Sequence, residues 1–211
     1  MTERGWRVAL GALVTVSLIA IGGAGAVILG VGGNNDPSAD SVDAGFARDM
    51  TIHHRQAVLM AGLARDRTTD PELALIGYDI ETSQLNQVGQ MQGWLSVWGL
   101  SQSTGEVMSW MGGHAGMHMS SASDGGMPGM ASAEELAELR TAQGSEFDVL
   151  FLQLMIRHHQ GGAPMADYAA GNAEVAAVRA LARSIAESQS AEIDTLTDML
   201  IARGGTPLPV P

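Results

Sequence analysis

The stretch Asp43-Ala-Gly-Phe46-Ala-Arg-Asp-Met50-Thr-Ile-His53-His54-Arg-Gln-Ala57-Val-Leu-Met60-Ala61-Gly-Leu-Ala64 returns 105 residues later. The second version reads Asp148-Val-Leu-Phe151-Leu-Gln-Leu-Met155-Ile-Arg-His158-His159-Gln-Gly-Gly-Ala-Pro164-Met165-Ala166-Asp-Tyr-Ala169. The match runs without gaps over residues 43–99 and 148–204, with 13 of 57 positions identical and the adjacent histidines in register. Farther along it holds Ile80/Ile185, Ser83/Ser188, Gln84/Gln189, Leu95/Leu200 and Gly99/Gly204. Two copies of one unit is the economical reading.

Each unit reads as a helix pair. The first helices are expected to open at Asp40-Ser41-Val42-Asp43 and Ser145-Glu146-Phe147-Asp148, both close to a capping box, with Asp43 and Asp148 assigned to capping. The second helices are expected near Asp70-Pro71-Glu72, where Pro takes the first helical position, and near Asn172-Ala173-Glu174. Gly99 and Gly204 suit left-handed caps at their ends. No run alternates with period two. The fold class is therefore all-α, a four-helix bundle in which four amphipathic stripes bury one another.

At 100° per residue, Phe46, Met50, His53, His54, Ala57, Met60, Ala61 and Ala64 share one face, and Arg48, Arg55, Gln56 and Arg65 lie opposite. The second copy repeats the stripe with Phe151, Met155, His158, His159, Gly162, Met165 and Ala166. The partner helices carry Gln84, Gln189 and Glu192 on otherwise apolar faces. Buried imidazoles, amides and a carboxylate cost a few kcal/mol each unless they find partners. Two explanations fit: a core polar network in which Gln and Glu accept His N–H bonds, or a metal site. The duplicated doublet favours the metal site, because Met50 with His53 and Met155 with His158, at i and i+3, can point at one ion. Met60 and Met165, about two turns beyond the doublets, complete the candidate ligands. A di-iron carboxylate centre needs Glu-x-x-His on two helices, and here that Glu position holds Met50 or Met155.

Between the repeats, residues 101–131 form a Met- and His-rich insert. It holds Met108, Met111, Met117, Met119, Met127 and Met130 with His114 and His118, among Gly residues and Pro128. It has no helical stripe and is expected not to pack a core, so burial would not explain its methionines. Gly spacing lets Met and His wrap one ion; thioether sulfur selects Cu(I) over hard cations, Ag(I) has similar needs, and His114 with His118 could serve Cu(II). The alternatives are a linker with incidental Met and a Met-rich partner surface. Ser132 and Glu135 should open a short helix over 133–142.

The chain ends add an address. Residues 8–31 are 24 positions without a charge, which as a helix would span ~36 Å, enough for a hydrocarbon core of ~30 Å. Arg4 and Arg7 precede it, which places residues 1–7 in the cytoplasm and the rest outside. The rival is a cleaved signal with Ala24-Gly25-Ala26 as the cut, giving a secreted protein. Residues 32–42 read as a tether and 205–211 as a tail. All 11 basic residues are Arg, set against 23 acids, for a net charge of −12 that excludes nucleic acid. There is no Cys, hence no disulfide, thiolate site or cysteine nucleophile, and soft-metal chemistry falls to Met and His. No enzyme nucleophile or phosphate loop is visible. Composition names no protein partner and leaves the oligomeric state open.

Met50-x-x-His53-His54-x-x-Ala57-x-x-Met60-Ala61, its copy from Met155 to Ala166, and the Ser-Gln pairs at 83–84 and 188–189 resemble the domain of unknown function 305 family. The Met127-Pro-Gly-Met130 element and Glu146-Phe147-Asp148 fit it too. The resemblance implies an exported, ferritin-like four-helix bundle, and some members are similar to periplasmic copper-binding proteins that support copper resistance. One departure stands out. The family usually reads His-His-Gln-Gly-Ala-Ile-Glu-Met-Ala at the second motif, whereas this chain has His158-His159-Gln160-Gly161-Gly162-Ala163-Pro164-Met165-Ala166. Pro164 is expected to kink the helix just after the doublet. The whole reading is a membrane-tethered bundle that binds copper, with a ferritin-like iron or manganese oxidoreductase and a metal-free interaction module as alternatives.

Overall fold

The computed structural model describes residues 36–103, 106–116 and 126–209. Residues 8–31, the expected anchor, lie outside the described residues, as do Met117, His118, Met119 and the side chain of His114. Among the described residues no helix is long and apolar enough to cross a membrane.

The described chain is all-α, with helices α1 (Val42–Arg67), α2 (Pro71–Val97), α3 (Ala133–Thr141), α4 (Gly144–Asn172) and α5 (Ala176–Ala202), plus a 3-10 segment (Ser109–Gly116) kinked at Gly112. Short connections, 68–70 and 173–175, make α1–α2 and α4–α5 helical hairpins, which meet through α1 and α4. Local chemistry sets most ends. Asp70 Oδ1 accepts from the amides of Glu72 (2.9 Å) and Leu73 (3.3 Å), with Pro71 in the first turn. Ser132 and Glu135 form a full capping box on α3, and Arg157 of α4 grips the Glu135 carboxylate through both guanidinium nitrogens (2.8 and 2.6 Å). Gly99 and Gly204 adopt φ of 66° and 72°, as left-handed caps require.

Several expected starts differ. Ser41 caps α1, accepting from Ala44, and Asp43 does not serve its own helix. Its fully buried carboxylate crosses the bundle to accept from the amides of Glu174 (3.0 Å) and Val175 (2.8 Å), so it caps α5. α5 begins at Ala176, with Val175 as its N-cap residue, while α4 runs on through Asn172. α4 begins at Gly144 with no side-chain cap, and Asp148 Oδ1 is buried without a partner, so the expected capping box there does not form. The kink expected at Pro164 does not interrupt the helix either: α4 is continuous with Pro164 inside it.

The core splits into two apolar clusters that the repeat exchanges. One holds Phe46, Met50, Met91, Leu95, Met165, Ala166, Ala169, Val178 and Ile185; the other holds Ala57, Met60, Ala64, Ile80, Phe151, Met155, Leu196 and Leu200. α1 passes from the first cluster to the second, and α4 passes the other way. Each crosses over at its histidine doublet. The crossover residues on α2 and α5 are the buried Gln84 and Gln189. The polar residues thus form one layer between two greasy ones.

The insert packs, contrary to expectation. Met108, Met111 and Met127 are buried and join the first cluster, with Met130 half-buried against it. The face of α1 that carries Arg48 and Gln56 receives the insert. Asp49 Oδ2 accepts from the Met108 amide (2.7 Å) and from Trp110 Nε1 (2.7 Å). Arg48, only 4% exposed, donates to the carbonyls of Ala39 (2.7 Å) and Ser101 (2.8 Å). Gln56 exchanges two hydrogen bonds with the Ala131 backbone (2.9 and 2.6 Å). Gly45 makes room for the indole, since a Cβ there would lie 2.2 Å from Trp110 Cγ.

Candidate metal centre

All four histidines of the doublets have no solvent exposure. The His53 and His158 rings meet across the α1–α4 contact with centroids 3.8 Å apart and planes tilted by 38°, and the His158 and His159 centroids are 6.2 Å apart. This closeness depends on Gly162: a Cβ there would lie 2.9 Å from both His53 Cε1 and Gln189 Oε1. Gly161 serves the insert in the same way, because its Cβ would fall 2.2 Å from the Pro128 carbonyl oxygen. The two glycines that mark this chain's second motif are therefore points of close approach.

Three of the four histidines have a partner, and each a different one. His54 Nε2 lies 2.7 Å from Gln87 Oε1, and His159 Nε2 lies 2.6 Å from Glu192 Oε2. His53 Nε2 reaches the Pro128 carbonyl at 3.1 Å, so the insert touches the core layer directly. Glu192 thus acts as expected, but Gln84 and Gln189 do not: Gln84 Oε1 and both polar atoms of Gln189 have no partner. The residue that serves His54 is Gln87, which is Glu192 shifted back by the repeat of 105. That offset was the available signal for it. Pro128 and Asp49 had none, because nothing in the sequence says where the insert lands.

Burial holds three of these rings, His53, His54 and His158, neutral. Burial pulls His53 down to about 4, helped by His159 and opposed by the Pro128 carbonyl. Burial and then the neighbouring His53 pull His54 down to about 3, with Gln87 opposing. His158 is driven well below the ordinary range by burial, then by His53, His159 and His54; the His53 backbone, the weakest influence, acts the other way. Neutral imidazole is the form that binds metal.

The donor set fits a soft ion. Nδ1 of His53, His54 and His159 and both ring nitrogens of His158 are buried without a hydrogen-bond partner. A closed polar network would have satisfied them. Met50, Met60, Met155 and Met165 are fully buried one or two turns from the doublets, Met50 and Met165 on one side of the layer and Met60 and Met155 on the other. Among the described residues no three His, Cys, Asp or Glu side chains converge as a ready cage. The layer is thus a dense set of imidazole nitrogens between two thioether-bearing clusters.

An all-helical, duplicated protein with a buried four-histidine layer is the class that fold and site define. Residues 43–200 match the family described as domain of unknown function (DUF305), and the chain belongs to it. A DUF305 protein of Streptomyces coelicolor described as secreted shares 43% identity, with a TM-score of 0.74 over 82% of this chain and 99% of that one. A DUF305 fragment from Deinococcus radiodurans is 31% identical, with a TM-score of 0.62 over 76% of this chain and 96% of that one. CopM in its Cu(II)-bound form is 28% identical, with a TM-score of 0.58 over 77% of this chain and 97% of that one. CopM has also been solved with Cu(I) and with Ag. None of the curated proteins matches the chain.

Proposed function

We propose that this protein is a ferritin-like bundle, tethered outside the cytoplasmic membrane, that binds copper and buffers it or passes it on without turning over a substrate. The observation that carries this reading is the buried layer of His53, His54, His158 and His159, with five ring nitrogens unpartnered. Soft thioethers flank it, which favours Cu(I), with Ag(I) as its analogue and Cu(II) within reach of the imidazoles. CopM, with the same fold, supports it by holding Cu(I), Cu(II) and Ag. The uncharged stretch at 8–31 and the secreted relative support the address. Met at 50 and 155, where a di-iron site needs Glu, argues against an oxidase.

The test is anaerobic Cu(I) titration of the full chain against a competing chelator. Three variants are compared: His53→Ala/His54→Ala, His158→Ala/His159→Ala, and Leu in place of the six insert methionines. The core variants should each lose bound copper. Unchanged stoichiometry in all three would sink the copper reading, and loss in the insert variant alone would leave the bundle histidines structural.

A further inference from the structure

We propose that His53, His54 and His159 offer Nδ1, not Nε2, to the incoming ion, and that Glu192 and the Pro128 carbonyl are the positioning groups that enforce this in His159 and His53. The inference rests on the metal-binding reading above and assigns the ligating atoms of the same layer.

A neutral imidazole carries one N–H and one lone pair, so fixing the first fixes the second. A backbone carbonyl and a carboxylate can only accept. His53 Nε2 lies 3.1 Å from the Pro128 oxygen, and His159 Nε2 lies 2.6 Å from Glu192 Oε2. Both contacts are attractive only when Nε2 bears the proton. The lone pair is then on Nδ1, which in both rings is buried and has no partner. His54, with Nε2 2.7 Å from Gln87 Oε1, repeats the arrangement. Lone pairs are what a metal cation needs, and here they are fixed before the ion arrives.

The two halves differ in strength. The repeat keeps the geometry but sets an amide beside His54 and a carboxylate beside His159. A carboxylate raises the basicity of the imidazole it holds, so His159 is the stronger ligand. Its charge also offsets that of the bound ion. His53 takes its orientation from the insert. The turn at residues 127–130 is seated on α4 by Gly129, at φ 78°, where a Cβ would lie 2.5 Å from the Arg157 carbonyl, and by Gly161 beneath Pro128. The Met-rich segment therefore sets the tautomer of a core histidine.

The test uses the full chain labelled with 15N at histidine, and Ag(I), which is diamagnetic and redox-inert, as the probe. Long-range 1H–15N spectra should show the Nε2–H tautomer at His53 and His159 before metal is added. Ag(I) should then move the Nδ1 resonances. Glu192→Leu should mix the tautomers of His159 alone and weaken Ag(I) binding by roughly 10- to 100-fold. Glu192→Gln, which restores the acceptor its repeat partner uses, should recover the tautomer and most of the affinity. Gly161→Ala should displace Pro128 and mix the tautomers of His53 alone. An Nδ1–H tautomer in the metal-free protein, or a shift at Nε2 on adding Ag(I), would overturn the proposal. Uptake of Ag(I) with no histidine nitrogen moving would overturn it together with the core site, so the two failures are distinct.

Discussion

At the residue scale, the decisive property of the layer is that the imidazoles of His53, His54 and His158 are held neutral. In the unfolded chain a histidine titrates near 6.5, whereas His53 and His54 in the fold are pulled to about 4 and about 3, and His158 well below the ordinary value. Below pH 6.5 the unfolded state therefore binds protons that the folded state refuses. Stability is full above that point and falls as pH drops toward 4, by about 1.4 kcal/mol per pH unit for each such histidine. Denaturant unfolding of the metal-free chain at pH 7, 6 and 5 should show this slope, and His53→Gln/His54→Gln should reduce it; equal stability at pH 7 and 5 would mean the rings are not held neutral. The glycines give a second prediction in which two effects compete. Gly162→Ala gains about 1 kcal/mol of helix propensity but presses a methyl onto His53 and Gln189, which costs about 1–3 kcal/mol, so it should destabilise. Gly89→Ala on α2, where nothing lies within 4 Å, should stabilise by roughly 1 kcal/mol. Thermal melts of the two variants should move in opposite directions.

At the element scale, Asp43 shows how a sequence motif can be right in chemistry and wrong in address. A carboxylate near a helix start reads as a cap, but the helix it caps is α5, 131 residues away in sequence. Asp43→Ala should strip two amides of their acceptor and cost about 1–3 kcal/mol. Hydrogen exchange should quicken at residues 174–178 before it does at the start of α1; unchanged protection there would refute the cross-bundle cap. The same limit explains what was legible in the chain. Helix number, the helix-pair repeat, the buried faces of α1 and α4 and the capping box at Ser132 follow from local periodicity and spacing, and the structure has them. The docking of the insert does not, because Asp49, Gln56 and the Nε of Arg48 make their bonds to backbone groups and an indole that lie 53 to 75 residues away. Composition made the insert look unable to pack, since it lacks a stripe of its own. It borrows the outer face of α1 instead. Pro164 removes one helical hydrogen bond, yet α4 runs on through it as one helix.

At the scale of the whole molecule, the polar layer is where the two repeats cross from one apolar cluster into the other, so anything that binds there joins both hairpins. The unpartnered ring nitrogens are a standing cost of the metal-free fold, each comparable to a lost hydrogen bond. An ion in the layer removes that cost and links α1 to α4 at once. Binding to the native state alone stabilises by about 2.7 kcal/mol when free ligand is 100 times its dissociation constant. For a domain of this size that corresponds to a rise of about 5–10 °C in Tm. The full chain with excess Ag(I) should therefore melt several degrees higher, in one transition, because both clusters share the layer. In His53→Ala/His54→Ala the shift should collapse, while the insert variant with Leu for Met should retain most of it, since Met108, Met111 and Met127 are buried and Leu keeps their packing. A shift that survives loss of the core doublet and vanishes with the insert methionines would place the stabilising ion in the insert. Its coupling to the fold would then run through Pro128 and His53 alone, and Gly161→Ala should uncouple binding from stability.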